Sequence, residues 1–362
     1  MIIYRVTILF ITFLVLSCAK SDTNLPNNAP TEQQFISAVD ISSYPEIMTT
    51  NPRFYDTDGT PKNLLDILKS KGVNTIRLRL WVNPSNEHSG LNEVRQFAVT
   101  LKNSGFKIWL TVHYSDTWAD PAHQQMPAAW QNSSYTALKD SVYAYTKKVV
   151  TQIQPHYIQV GNEINSGFLH PYGNLSINNT QFKGLLQSGI LAVRENAKST
   201  KIMLHFAGID AATSFFGNLN ALDYDIIALS YYPIWHGKSL TTLSNTITNL
   251  SMMYNKEVVI AETAYPFTLN WNDWTNNIVG MENQLILPDF PPTVVGQRDF
   301  IKSIRELMQA IPNRKGIGLC YWGAELVAWK GTQATNASPW ENQALFDFQN
   351  QVLPALIELK GN

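Results

Sequence analysis

The chain has 362 residues, 44% of them hydrophobic, and a formal net charge of -1 at pH 7. That length accommodates one barrel-sized domain or two ordinary ones, and the near-neutral charge argues against nucleic acid or an anionic membrane surface as the main partner. The 10 Trp, 15 Tyr and 16 Phe are plentiful; most belong in a core, but exposed rings of this kind stack on the faces of sugars.

The first predicted element is an address. From Ile2 to Leu16 the chain is apolar, with Arg5 as its only charge. It is too short and one-sided for a membrane-spanning helix and suits the apolar region of a signal peptide. It ends at Val15-Leu16-Ser17-Cys18, which resembles a bacterial lipobox, and the resemblance implies that Cys18 becomes the lipidated first residue of the mature chain. Residues 1–17 are therefore expected to be a signal peptide and 18–34, with their Asn, Pro, Ser and Asp, a lipidated flexible tether. The expected protein is exported and held to the cell envelope, on its outer surface or periplasmic face, and touches membrane only through this anchor. The other cysteine, Cys320, lies in a predicted strand and reads as a small buried hydrophobe.

From residue 35 to 362, apolar runs alternate with amphipathic segments, the pattern of repeated βα units on a parallel sheet. Strands are predicted at 37–42, 75–81, 107–114, 157–163, 201–208, 225–232, 257–262 and 316–322. Between them, Leu91, Val94, Phe97, Ala98 and Leu101 share one helical face, as do Phe182, Leu185, Leu186, Ile190 and Val193, and Phe300, Ile304, Leu307 and Met308. Lys69 to Gly72 and Lys102 to Gly105 each end a helix with a basic last turn and a glycine. Eight strands close a barrel, and no linker divides the run. The expected fold is α/β, a single (β/α)8 barrel over 35–362 with its active residues at the C-terminal ends of the strands.

What those ends carry points to chemistry. The apolar run of the fourth strand, which starts at Tyr157, stops at Gly161 and presents Asn162 and Glu163 at its end; the seventh runs through Val258-Val259-Ile260-Ala261 into Glu262. Two strands that each deliver a glutamate at the tip supply the acid and the nucleophile that glycoside hydrolysis requires. The bland alternative, a structural pairing with arginine, suits one such glutamate better than both together. The second strand points Arg77 and Arg79 to the same side, and Arg79, nearer the tip, is expected to hold Glu262 ionised. The third ends at His113, followed by Asp116 and Trp118, a dense run of polar and aromatic groups. The sixth ends in Tyr231 and Tyr232; alternation lets only one of them face inward, and sequence does not choose. The eighth ends at Trp322, a candidate floor for the subsite at the cleavage point.

Taken together, several motifs resemble glycoside hydrolase family 53, the endo-β-1,4-galactanases of type I arabinogalactan. They are His113 to Pro121 (HYSDTWADP), Val160 to Ile164 (VGNEI), Ser230 to Pro233 (SYYP), Glu262 to Pro266 (ETAYP) and Trp340 to Asp347 (WENQALFD). The match spans about Val39 to Pro354. It implies Glu163 as general acid/base and Glu262 as nucleophile, with Asn162 on the sugar 2-hydroxyl. Arg79, His113 and one of Tyr231 or Tyr232 would support the pair, Trp118 and Trp322 would stack on sugar, and Asp116 would make a polar contact. Tyr321-Trp322-Gly323-Ala324-Glu325 departs from the Tyr-Trp-Glu-Pro of many members, which bears on loop contacts and leaves the pair untouched.

The implied reaction is retaining endo-hydrolysis of β-1,4-galactosidic bonds by a monomer, with galactan as its partner and without metal or organic cofactor. Some members hold a structural calcium in a late loop, and no cluster of oxygen ligands stands out here. Two other readings use the same residues: another retaining endo-β-1,4-glycanase of the clan, a mannanase or glucanase, or a glycan-binding lipoprotein without catalysis.

Overall fold

The computed structural model describes residues 34–361. The signal peptide, Cys18 and all of the tether but Gln34 lie outside the described residues. Eight parallel strands form a closed barrel: β1 (Ile36–Asp40), β2 (Thr75–Leu80), β3 (Lys107–Val112), β4 (Tyr157–Val160), β5 (Lys201–Ala207), β6 (Ile226–Ser230), β7 (Glu257–Thr263) and β8 (Gly316–Trp322). Each pairs with its sequence neighbours, and β8 closes on β1 with Asp40 opposite Trp322. All eight match predicted strands, with ends that differ by up to three residues. The fourth stops earliest, at Val160, because Gly161 (φ 88°) and Glu163 (φ 45°) leave extended backbone.

The surrounding helices are α1 (Leu64–Ser70), α2 (Leu91–Asn103), α3 (Tyr135–Ile153), α4 (Asn179–Asn196), α5 (Ala212–Leu219), α6 (Leu240–Tyr254) and α7 (Val294–Gln309). A 3-10 helix at Pro354–Leu359 packs beside α7 and fills the eighth position. The predicted apolar faces turn inward: Val94, Ala98 and Leu101 of α2 are buried, as are Phe182, Leu185, Leu186, Ile190 and Val193 of α4 and Phe300, Ile304 and Met308 of α7.

Strand alternation divides the core into two layers. Ile76, Leu78 and Leu80 of β2, and their counterparts on other strands, pack outward against the helices. Ile36, Ala38, Trp109, Met203, Ile226, Ala228, Val259, Ala261 and Cys320 fill the barrel interior, so the barrel is a packed plug, open for chemistry only at its rim.

One irregularity decides the site. Along β7, period two that points Val259 and Ala261 inward would aim Glu262 outward at the helices. The pairing with β6 shifts register there, Leu229 opposing Ile260 and Ser230 opposing Glu262, and the pairing with β8 shifts as well. The extra residue is a β-bulge, which re-aims the next side chain. It brings Glu262 into the barrel mouth.

Candidate active site

A cleft of about 660 Å³ opens at the C-terminal ends of the strands, with Glu163 and Glu262 both on its wall. One carboxylate oxygen of each, together with a ring nitrogen of His205, lies within 4.8 Å of the others.

Glu163 is presented by a constrained turn. Gly161 takes a left-handed conformation, and a Cβ there would meet Ile164 Cγ2 at 2.5 Å. Glu163 itself holds φ 45°, strain that a side chain tolerates where its surroundings over-determine it. Those surroundings include Gln124, whose amide nitrogen donates to the carbonyls of Asn162 (2.9 Å) and Glu163 (3.1 Å). Its carboxyl has a light polar shell: the Ser230 hydroxyl donates to Oε1 at 2.5 Å, and His205 Nε2 lies 2.9 Å from that hydroxyl.

Glu262 sits among strong donors. Arg77 Nη2 donates to its Oε1 at 2.7 Å and the Tyr232 phenol to its Oε2 at 3.1 Å. Arg77 is buried in the barrel centre and also donates to Asp40 (2.6 Å), Gln159 (2.8 Å) and Asn162 Oδ1 (2.9 Å). A planar fork with several donors can hold two carboxylates and two amides at once; an ammonium could not.

These shells separate two chemically identical groups. Burial, reinforced by the negative charge of Glu262, pushes Glu163 up to about 8, with only the Ser230 hydroxyl and the more distant Arg77 opposing. Burial also raises Glu262, but there the Arg77 guanidinium and the Tyr232 phenol pull back toward the ionised form. Glu262 therefore gives up its proton first, and its charge then keeps Glu163 protonated. The shell around Glu163 favours its protonated form, and the cation and phenol around Glu262 favour its ionised form.

Several expectations are corrected here. Arg77, not Arg79, holds Glu262. Arg79 is turned aside, its Nε donating to Ser89 Oγ at 2.8 Å and its guanidinium lying 4.7 and 4.2 Å from the rings of Trp81 and Trp118. It remains on the cleft wall, where it backs Trp118. Of the two tyrosines, Tyr232 faces in; Tyr231 is buried in the outer layer with its hydroxyl on the Gly237 carbonyl (2.8 Å), so it is not a substrate contact. Asp116 is also not on the wall, because its carboxylate accepts the amides of Asn83 and Ala128 at 2.9 and 2.8 Å and pins two loops.

The other predicted residues line the cleft. His113 Nδ1 accepts the Ala119 amide at 3.0 Å, which leaves its proton on Nε2 as a donor. Burial and the nearby Arg79 and Arg77 hold it neutral, well below the usual histidine range. Asn162 gives its amide to the Ala119 carbonyl and its oxygen accepts from Arg77, which ties the turn that presents Glu163 to the arginine that holds Glu262. Trp118 and Trp322 lie 6.1 Å apart, and the aromatic surface continues through Trp340, 4.6 Å from Trp322, to Trp235, 6.1 Å further on.

Asp40, Arg77, His205, Ser230, Trp235 and Trp340 were not among the expected site residues. Arg77 was visible beside Arg79, and Ser230 and Trp340 sat inside quoted motifs. Asp40 and His205 carried a weaker signal, a polar residue within an otherwise apolar strand.

The late loops hold a second polar cluster. Glu341 Oε1 accepts the amides of Asn272 (2.6 Å) and Asp273 (3.3 Å), and Asp273 and Asn277 both act on its proton affinity. Asp273 Oδ2, Asn277 Oδ1 and Glu341 Oε2 are buried without a hydrogen-bond partner among the described residues. Three orphaned hard oxygens are a donor set that fits calcium. Asp273 and Asn277 are near neighbours in the chain, but Glu341 comes from a loop 64 positions beyond Asn277, so no contiguous motif announces the set.

Comparison with known proteins agrees with this geometry. The family model for glycosyl hydrolase family 53 matches residues 36–359. The arabinogalactan endo-β-1,4-galactanase of Cellvibrio japonicus is 33% identical over 96% of this chain and 95% of its own. The endo-β-1,4-galactanase of Bacillus subtilis is 31% identical over 90% and 85%. The solved family 53 catalytic domain of Ignisphaera aggregans superposes with a TM-score of 0.84 at 36% identity, covering 91% of this chain and 97% of that one. A full-length match of this kind, with two unlike glutamates at the ends of β4 and β7, leaves one assignment: the chain belongs to glycosyl hydrolase family 53.

Proposed function

We propose that this enzyme hydrolyses internal β-1,4-galactosidic bonds of galactan and type I arabinogalactan with retention of anomeric configuration. The observation that carries the reading is the pair of carboxyl oxygens within 4.8 Å. Retaining enzymes hold the two groups about 5–5.5 Å apart, whereas inverting enzymes leave room for a water at roughly 6.5–9.5 Å. The names of the full-length relatives supply the substrate.

In the first half-reaction Glu163 passes its proton to the glycosidic oxygen as the bond to the anomeric carbon breaks, and the Glu262 carboxylate attacks that carbon to form a galactosyl ester. In the second, Glu163, now ionised, takes a proton from water as its oxygen attacks the same carbon and Glu262 departs. Arg77 and Tyr232 hold the attacking carboxylate, Ser230 receives the charge that develops on Glu163, and His113 Nε2–H and Asn162 face the sugar. Trp118, Trp322 and Trp340 offer stacking surface to successive rings.

The catalytic steps use no metal. A calcium ion held by Asp273, Asn277 and Glu341 would be structural, pinning the loops after β7 and β8. We assign the enzyme to the cell envelope through lipidated Cys18, as a monomer; metabolic labelling with a fatty acid that survives Cys18→Ala would refute the anchor. Product sizing on linear β-1,4-galactan, mannan and cellulose tests the substrate, with oligosaccharides expected from galactan alone. The anomer first released, followed by proton NMR, tests retention. Near-wild-type turnover by Glu262→Gln would overturn the mechanism.

A further inference from the structure

At the opposite pole of the barrel, where strands begin, lies a second cavity of about 470 Å³. Its wall comprises Lys102, Lys107, Gln154, Pro155, His156, Tyr157, Ser199 and Lys201, with no carboxylate among them. The fold gathers these groups from separate segments. Lys102 is in the last turn of α2, Lys107 and Lys201 are the first residues of β3 and β5, and Gln154 to His156 link α3 to β4.

The charges here are poorly compensated. Among the described residues, no carboxylate lies within ion-pairing distance of Lys102 or Lys107, and Lys201 reaches Asp225 only at 3.9 Å. Asp225 is already held by Arg194 at 3.0 Å. Lys102 donates to the Ile153 carbonyl at the end of α3 at 2.5 Å, which fixes its ammonium at the cavity wall. His156 Nδ1 accepts the Ile108 amide at 3.2 Å, which leaves the ring proton on Nε2 as a further donor. Burial and the adjacent Lys107 and Lys102 push its pKa below the ordinary value.

We infer that this cavity binds a phosphate group. Three lysines, an imidazole N–H, a hydroxyl and an amide line the one cavity as potential donors, and a tetrahedral dianion accepts from several donors at once. The volume exceeds that of the bare ion, so the phosphate comes with a small carrier, either a soluble phosphate ester or a lipid headgroup. Gln34, where the chain enters the barrel ahead of β1, lies at the same strand-start pole. The site is remote from the cleft and does not rest on the proposed galactanase activity.

The test is a titration of the whole enzyme with inorganic phosphate at constant ionic strength, read on the His156 ring signals by NMR. Saturable shifts and a rise of about one unit in the His156 pKa are expected, since an anion beside an imidazole favours its charged form. The double variant Lys107→Ala/Lys201→Ala should lose this response and hydrolyse galactan at the wild-type rate. Vesicles of phosphatidylcholine with and without phosphatidate separate the sources. Sedimentation with the phosphatidate vesicles that inorganic phosphate reverses identifies a lipid headgroup, and phosphate saturation without vesicle binding identifies a soluble ester. Absence of saturation at tens of millimolar phosphate, or equal binding by the folded double variant, overturns the inference.

Discussion

Ser230→Ala isolates the origin of the proton donor's acidity. The serine hydroxyl donates to Glu163 Oε1 at 2.5 Å and is the closest group that stabilises the ionised form. A hydrogen bond to a charged group contributes about 1.5–3 kcal/mol, and one pKa unit corresponds to about 1.4 kcal/mol. Removing the bond therefore raises the Glu163 pKa by about one to two units from its value of about 8. The proposed mechanism requires Glu163 to be protonated in the first step, so the alkaline limb of kcat/KM should move up by that amount. The acidic limb belongs to Glu262, whose Arg77 and Tyr232 contacts are intact, and it should stay in place. A weaker acid also transfers its proton less readily, so the plateau should fall by about three- to tenfold for partial proton transfer in the transition state. Initial rates on galactan across the pH range, with melting temperature followed alongside, measure both limbs. An alkaline limb that does not move, in a variant that stays folded, would refute the assignment of that limb to Glu163.

Further outcomes follow from the same structure. Glu163 has a folded pKa raised from the ordinary 4.5 to about 8, so the native state binds the extra proton and stability falls as pH rises between these values; Glu163→Gln should abolish activity yet melt higher than wild type, by a margin that grows from acidic toward alkaline pH. Tyr232→Phe removes the 3.1 Å bond to Glu262 and should lower kcat by about tenfold or more. Tyr231→Phe, which loses only the bond to the Gly237 carbonyl, should cost about 1 kcal/mol of stability and leave kcat unchanged. Arg77→Met leaves Asp40 and Glu262 buried without their cation and should destabilise by about 3–5 kcal/mol in denaturant titrations, whereas Arg79→Met should act mainly on KM by loosening Trp118. Chelation should lower the melting temperature and calcium restore it, a response that Asp273→Asn should blunt; a saturating metal at about a hundred times its Kd contributes about 2.7 kcal/mol.

The sequence by itself determined the number and order of the strands, because a strand buried on both faces reads as a short apolar run and each helix between shows its own periodic face. It also determined the two glutamates, since a carboxylate at the end of such a run has few roles other than chemistry or ion pairing. Tertiary structure decided what each group touches. Alternation gives parity along one strand but not its height or phase in the barrel, so it could not choose between Arg77 and Arg79 or between Tyr231 and Tyr232. At Glu262 simple parity fails outright, and the bulge that restores it depends on pairing with both β6 and β8. The Ser230 and His205 support of Glu163, the Asp273 and Glu341 cluster and the basic cavity join residues far apart in the chain. Their charges and hydrogen bonds act over a few ångströms of space, a distance that only the closed barrel defines.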